Sequence, residues 1–248
     1  MSEDRGRVAV ITGASRGLGL ALARALASRG WSLVIDARGA EALERARAEL
    51  ADDGTVRAIA GDVAEESHRR RLLEESRALG RLDLLVNNAS LLGPSPQRGL
   101  ADYPLEVLEE VYRANAFAPL RLVQMALPLL RTSGHGRVVN ITSDAAVEGY
   151  EGWGGYGSSK AALEQLSNVL AAEHPDLRVY WVDPGDMNTQ MQREAFPGED
   201  VSDRPPPEES VPGLLRLIEG DLPSGRYRAR DLSPATAGAI DTTPGGAA

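Results

Sequence analysis

Tyr156 and Lys160 stand four residues apart, so on a helix they share one face. A phenol with an ordinary pKa of about 10 is a poor base at neutral pH. A fixed ammonium beside it favours phenolate and makes the hydroxyl usable as a general acid or base. A packed tyrosine next to a surface lysine is the plainer reading of such a pair, but the composition weighs against it. The 27 basic residues comprise a single lysine, Lys160, and 26 arginines. Arginine hardly releases a proton, so it could not replace a compact amine that bonds hydroxyls and relays protons. Ser143, thirteen residues before Tyr156, adds a second hydroxyl; by itself it would read as a turn serine. Tyr150 lies in a similar glycine-rich stretch, but four residues on it meets Gly154.

A second group with chemistry in its spacing is Thr12-Gly13-Ala14-Ser15-Arg16-Gly17-Leu18-Gly19. It follows the apolar run Arg7–Thr12 and opens a helical pattern at Leu18–Ser28. Glycines let the backbone turn tightly and approach a pyrophosphate, and a helix N-terminus offers free N–H groups. An ordinary strand–helix turn is the bland alternative. Its place between the first strand and the first helix favours nucleotide binding.

The elements that must hold these groups alternate along the chain. Strands are expected at Trp31–Ala37, Val56–Ala60, Leu82–Asn87, Arg137–Thr142 and Leu177–Val182, with a further short one at Arg226–Ala229. Helices are expected at Ala40–Ala51, Glu65–Leu79, Leu105–Leu130, Gly157–Glu173 and Gly213–Glu219. The charged run of Glu65–Leu79 reads as a solvated face, and the long fourth helix should bend or break near Pro119 and Pro128. Continuous apolar strands alternating with helices imply a parallel sheet covered on both faces, hence a single-domain α/β, doubly wound (Rossmann-type) fold of about seven strands. The domain should span 1–232, with a disordered tail over 233–248. Phe196–Pro212, rich in proline and acid, reads as a lid that is mobile without ligand.

Composition excludes several classes. The net charge of −9 argues against nucleic acid and anionic membranes as partners. With no cysteine there are no disulfides, thiolate metal sites or cysteine nucleophiles, which fits a reducing, cytoplasmic setting. His68, His135 and His174 fall on a charged helix, in a glycine turn and at a helix end, so no metal site is expected. Asn140-Ile141-Thr142 has the form of a glycosylation sequon but lies in an expected buried strand.

The G-x-x-x-G-x-G spacing after threonine resembles the short-chain dehydrogenase/reductase family in its single-domain branch, and the resemblance recurs down the chain. Asp62-Val63 looks like the adenine-contacting pair. Asn87-Asn88-Ala89 matches N-N-A-G with Ser90 in place of glycine, and Asn115 matches the helix asparagine of the catalytic group. Ser143, Tyr156 and Lys160 match the serine and the Y-x-x-x-K pair. Pro184-Gly185 with Thr189 matches the segment beside the nicotinamide, except that Asp186 stands where an apolar residue is usual.

The resemblance implies hydride transfer between a nicotinamide and a ketone, aldehyde or secondary alcohol. The catalytic set would be Asn115, Ser143, Tyr156 and Lys160, with Tyr156 as acid or base. Asn115 would hold a water that links Lys160 to solvent. The cofactor would lie against Gly13, Ser15, Arg16, Gly17, Leu18, Gly19, Asp62, Val63, Asn88, Ala89, Tyr156, Lys160, Pro184, Gly185 and Thr189. NADP(H) is expected over NAD(H), because Ala37 falls where NAD enzymes place a carboxylate and Arg38 follows it; a slip of one residue would put Asp36 there instead. A homodimer or homotetramer through the helix of Tyr156 is also implied. A non-catalytic dinucleotide sensor or scaffold is the alternative, though such proteins typically lose the serine, tyrosine or lysine.

Overall fold

Short apolar runs build seven strands in the computed structural model, which describes residues 6–233. They are β1 (Val8–Ile11), β2 (Ser32–Ala37), β3 (Val56–Ala60), β4 (Leu84–Asn87), β5 (Arg137–Ile141), β6 (Arg178–Asp183) and β7 (Gly225–Arg228). All pair in parallel, in the order β3-β2-β1-β4-β5-β6-β7. The eight helices are α1 (Gly17–Ala27), α2 (Ala40–Leu50), α3 (Glu66–Ala78), α4 (Leu105–Tyr112), α5 (Ala118–Thr132), α6 (Gly154–Glu173), α7 (Gln190–Ala195) and α8 (Val211–Glu219).

Alternate strand residues feed two cores because successive side chains leave a strand on opposite faces. Ile11 and Ile35 pack with Leu22 and Leu26 of α1, Leu43 of α2 and Leu214 of α8. Val10 and Val34 pack with Leu72 and Leu73 of α3, Leu122 of α5 and Leu170 of α6. The strand order reverses between β1 and β4, which opens a crevice at the carboxyl ends of those strands.

A chain of buried amides ties the middle of the sheet to α6. Asn87 Nδ2 donates to Asn140 Oδ1 at 2.7 Å, Asn140 Nδ2 to Ser167 Oγ at 2.7 Å, and Ser167 Oγ to the Leu163 carbonyl at 2.7 Å. Asn140 is buried, as its place in a strand required.

Two expectations are corrected. The fourth helix does not break at its prolines. A π turn at Arg113–Phe117 separates α4 from α5, while Pro119 falls in the first turn of α5 and Pro128 inside it. A proline in the first helical turn lacks only an N–H that had no partner. Secondly, α3 is only half a solvated face, since His68, Arg69, Leu72, Leu73 and Ser76 are buried. Within 196–212, the segment read as a lid, Val201 is buried, the Pro205 carbonyl accepts from the Asn188 N–H at 2.8 Å, and a 3-10 turn at Pro207–Ser210 leads into α8. The expected tail lies outside the described residues, apart from Ser233.

Asn140→Ala should lower the free energy of urea unfolding by about 2–4 kcal/mol, because it strands two buried polar partners. Ser167→Ala should cost about half as much. Equal and negligible losses in both variants would show that this chain does not hold β5 against α6.

Candidate active site

The glycine turn is built by contacts that leave no room for side chains. Gly13 has φ of +67°, and a Cβ on Gly19 would stand 2.5 Å from the Gly13 carbonyl and 2.6 Å from Asn88 Nδ2. Asn88 Nδ2 donates to the carbonyls of Thr12 (2.8 Å) and Gly13 (3.1 Å). The N–H groups of Asn88 and Ala89 both donate to Thr12 Oγ1 at 3.0 Å. The amide of Asn88 therefore shapes the turn itself.

Under the turn lies a pair that sequence reading missed. The Gly13 N–H donates to Asp36 Oδ1 at 2.7 Å, and Asp36 Oδ2 meets His68 Nε2 at 2.8 Å, both residues being 1% exposed. Burial raises the Asp36 pKa, opposed by its bonds to His68 and Gly13. His68 also fills the space a Cβ on Gly61 would need. The pair thus braces the turn against the start of the 61–65 loop. The signal was the helical stripe His68, Leu72, Ser76, which puts the histidine on the buried side of α3.

The crevice continues as a cavity of about 1500 Å³. One end is bounded by Ser15, Arg16, Gly17 and Leu18 of the turn, Arg38 after β2, and Asp62 and Val63 after β3. Asp62 is held by the Ala64 N–H at 2.8 Å. Arg16 and Arg38 are exposed, and neither has an ion-pair partner among the described residues, whereas Arg24, Arg45 and Arg47 on the neighbouring helices are all paired.

At the other end the structure brings Ser143, Tyr156 and Lys160 together on the cavity lining, which also includes Pro184, Gly185 and Thr189. Thr189 caps α7, and the Gly185 N–H is fixed on Asp183 Oδ1 at 2.9 Å. Tyr156 lies in the first turn of α6, with the Trp153 ring at 5.7 Å and Lys160 Nζ at 5.5 Å from its ring centre. Lys160 is 2% exposed and donates to the Ile141 carbonyl at 2.7 Å. Burial pushes its pKa down to about 7. An ammonium has three donors, so two remain for ligand hydroxyls.

The expected lowering of the tyrosine's pKa by lysine is not what the protein's own groups produce. Burial raises Tyr156 and is the largest influence; the hydroxyls of Ser90 and Ser143 act the other way, and the charges of Asp144 and Asp183 add to the rise. A lysine that is itself easily deprotonated is a weak source of positive field. Ser90, which replaces the expected glycine, is thus a hydroxyl beside Tyr156 that sequence reading noted only as a departure.

Asn115 sits in the π turn and is buried outside the cavity wall. Its Oδ1 accepts from the Leu91 N–H (2.8 Å) and Ser90 Oγ (3.1 Å), and its Nδ2 donates to the Leu91 carbonyl (2.8 Å) and Ser159 Oγ (2.9 Å). The side chain is fully engaged in holding the 90–91 segment to α6, so only its backbone is left for the expected water. Gly19 likewise lies behind the wall. The Trp153 and Phe196 rings, 5.8 Å apart, form an aromatic face on the cavity.

A dinucleotide fits this arrangement at both ends: open amides at the start of α1, two unpaired guanidiniums, and an amine with spare donors. The comparisons agree. Residues 7–200 match the family described as short chain dehydrogenase. A rhamnolipid-biosynthesis 3-oxoacyl-[acyl-carrier-protein] reductase of Pseudomonas aeruginosa is 34% identical, over 97% of this chain and 91% of that one. A benzil reductase of Saccharomyces cerevisiae is 34% identical over 76% and 74% of the two chains. Among solved structures, a short chain dehydrogenase of Shigella flexneri complexed with NADP superposes with a TM-score of 0.84 at 29% identity, covering 90% of this chain and 97% of that one.

The burial of Lys160 has a measurable signature. Between about pH 7 and its ordinary value of 10.5 the unfolded chain holds a proton that the folded chain releases. Stability rises with pH wherever the unfolded state binds more protons. Across that window wild type should therefore gain urea resistance relative to Lys160→Met, which lacks the titration. A difference that stays constant with pH would show that the amine is not held neutral by burial.

Proposed function

The chain belongs to the short-chain dehydrogenase family and is a nicotinamide-dinucleotide oxidoreductase; within that class we propose that it is an NADP(H)-preferring carbonyl reductase worked by Tyr156, Lys160 and Ser143. The observation that carries this reading is the convergence of those three side chains on the cavity lining, at the opposite end from two unpaired arginines.

When bound, the nicotinamide supplies hydride to a carbonyl carbon, or takes it from a carbinol carbon. Tyr156 gives a proton to the carbonyl oxygen, and takes one in the oxidising direction. Lys160, with a pKa near 7, passes protons to Tyr156 from solvent and bonds the ribose hydroxyls with its two spare N–H groups. Ser143 holds the substrate beside the phenol. Gly13, Ser15, Gly17 and Leu18 cradle the pyrophosphate on the free amides of α1. Asp62 and Val63 would hold the adenine and Pro184, Gly185 and Thr189 the nicotinamide, with Ala89 also on the cavity lining. Asn88 and Gly19 act through the shape of the turn, and Asn115 through Leu91 and Ser159. Retention of all three reactive side chains, and the reductase names of the relatives, speak against a sensor or scaffold.

Cofactor preference follows from charge. Both oxygens of Asp36 are already bonded under the turn, which supports the reading that no carboxylate meets the ribose. Arg16 and Arg38 give a 2′-phosphate two charge-assisted partners that NAD cannot use. Exposed Leu105, Phe117 and Val169 around α4 to α6 support a homo-oligomer formed on that flank.

Tyr156→Phe should abolish turnover of a carbonyl panel while leaving NADPH affinity, read by fluorescence titration, nearly unchanged. Ordinary turnover in that variant would sink the mechanism. For the cofactor, kcat/KM with NADPH should exceed that with NADH at least about tenfold, equivalent to about 1.4 kcal/mol. Arg38→Ala should erase most of the gap by lowering the NADPH value alone. Preference for NADH together with a silent Arg38→Ala would refute the assignment.

A further inference from the structure

Asp144 follows Ser143 directly, and its carboxylate shares the substrate end of the cavity. Ser143 Oγ donates its proton to Asp144 Oδ1 at 2.9 Å, and the Ala145 N–H donates to the same oxygen at 2.8 Å. The Tyr150 hydroxyl donates to Asp144 Oδ2 at 3.0 Å. A serine hydroxyl has one proton. With that proton on Asp144 and the Ala145 N–H donating to Ser143 Oγ at 3.2 Å, Ser143 offers a substrate its remaining lone pair, and the carboxylate places a negative charge beside the oxygen on which negative charge develops during hydride transfer. A plain ketone gains nothing from this arrangement. A ketone with an O–H or N–H group on the adjacent carbon gains twice, because that donor meets Ser143 Oγ and Asp144 Oδ2 while reducing the unfavourable charge.

The surroundings agree. Asp186 also lines the cavity, and its charge reaches the Tyr150 hydroxyl together with those of Asp144 and Glu148. Of the cations at this end, Arg204 pairs with Asp203 at 3.0 Å and lies over the Phe196 ring at 5.1 Å, Arg113 pairs with Glu109 at 3.2 Å, and Arg193 bonds the neutral amide of Asn188 at 2.8 Å. The remaining wall is apolar, formed by Leu92, Trp153, Met191 and Phe196 around Tyr156.

We propose that this cavity selects aryl or similarly apolar ketones carrying a hydroxyl or amino group on the carbon next to the carbonyl, with Asp144 as the specificity-determining residue that binds that group and turns away carboxylates. The proposal rests on the reductase reading above and names the substrate class of the same site.

The test measures kcat/KM with NADPH for 2-aminoacetophenone, 2-hydroxyacetophenone, acetophenone and phenylglyoxylate. The first two should exceed acetophenone by about tenfold, as a hydrogen bond to a charged partner allows, with phenylglyoxylate lowest. In Asp144→Asn the gap between 2-aminoacetophenone and acetophenone should shrink to within about threefold, and phenylglyoxylate should improve. Calorimetry of the enzyme–NADP complex supplies a readout free of turnover: 2-amino-1-phenylethanol should bind about tenfold more tightly than mandelate in wild type, and not in Asp144→Asn. Phenylglyoxylate equal to or better than acetophenone in wild type, or unchanged ratios in Asp144→Asn, would overturn the proposal. Absence of both turnover and amino-alcohol binding would overturn it too. Tight amino-alcohol binding without any turnover would uphold this recognition and count against the reductase reading instead.

Discussion

A single amine buried between β5 and α6 sets the terms for the rest of the molecule. Lys160 has one protein partner, the Ile141 carbonyl, and almost no contact with water. Left alone, such a group is a liability, because burial disfavours its charged form. The fold tolerates it by locking the two elements it joins. The amide chain from Asn87 through Asn140 to Ser167 runs across the same pair, and Asn115 clamps Ser159, the residue before the lysine. The chain keeps arginine everywhere else, and no guanidinium could sit in this place and exchange a proton near neutrality.

Charge is sorted along the cavity. The end near the glycine turn presents two guanidiniums without an ion-pair partner among the described residues and the positive end of α1, whereas the end near Tyr156 sets Asp144 and Asp186 beside Arg193 and the paired Arg204. A ligand that is anionic at one extremity and donor-rich at the other is thereby aligned before any close contact forms. Neither end is set by net charge: the chain as a whole is acidic, yet the end near the glycine turn carries both Arg16 and Arg38. Electrostatics here is a matter of which side chains lack partners.

The sheet, its helices and most cavity residues were legible in the sequence, because each depended on a local pattern. Apolar runs gave strands, the glycine spacing gave the turn, and Tyr156 with Lys160 needed only helical periodicity. What escaped depended on partners distant in the chain. His68 read as one more polar residue among charges until Asp36 was seen beneath Gly13. Asp144 is the exception, since its partner is the adjacent Ser143; a segment starting at Asp144 reads as pocket wall, but only the folded loop shows its carboxylate taking the proton of Ser143. Asn115 read as a member of the catalytic set, but its four bonds to Ser90, Leu91 and Ser159 join segments that no window on the sequence covers together. The prolines misled for a related reason: they mark where a helix is weak, while the interruption came where a side chain had to turn inward.

That interruption gives one turn a residue that packing does not need. A π turn carries one residue more than the α-helical turn it replaces, and one residue is roughly 100° of rotation about a helix axis. The wide turn at 113–117 absorbs that rotation locally, so α4 and α5 each keep a buried face, with Val111 on one and Leu122 on the other, while Asn115 points at Leu91 and Ser159. Removing one residue there would leave a regular helix with both faces kept and the Asn115 amide displaced from its partners. The bulge therefore serves the polar clamp on α6 rather than the packing of the two helices.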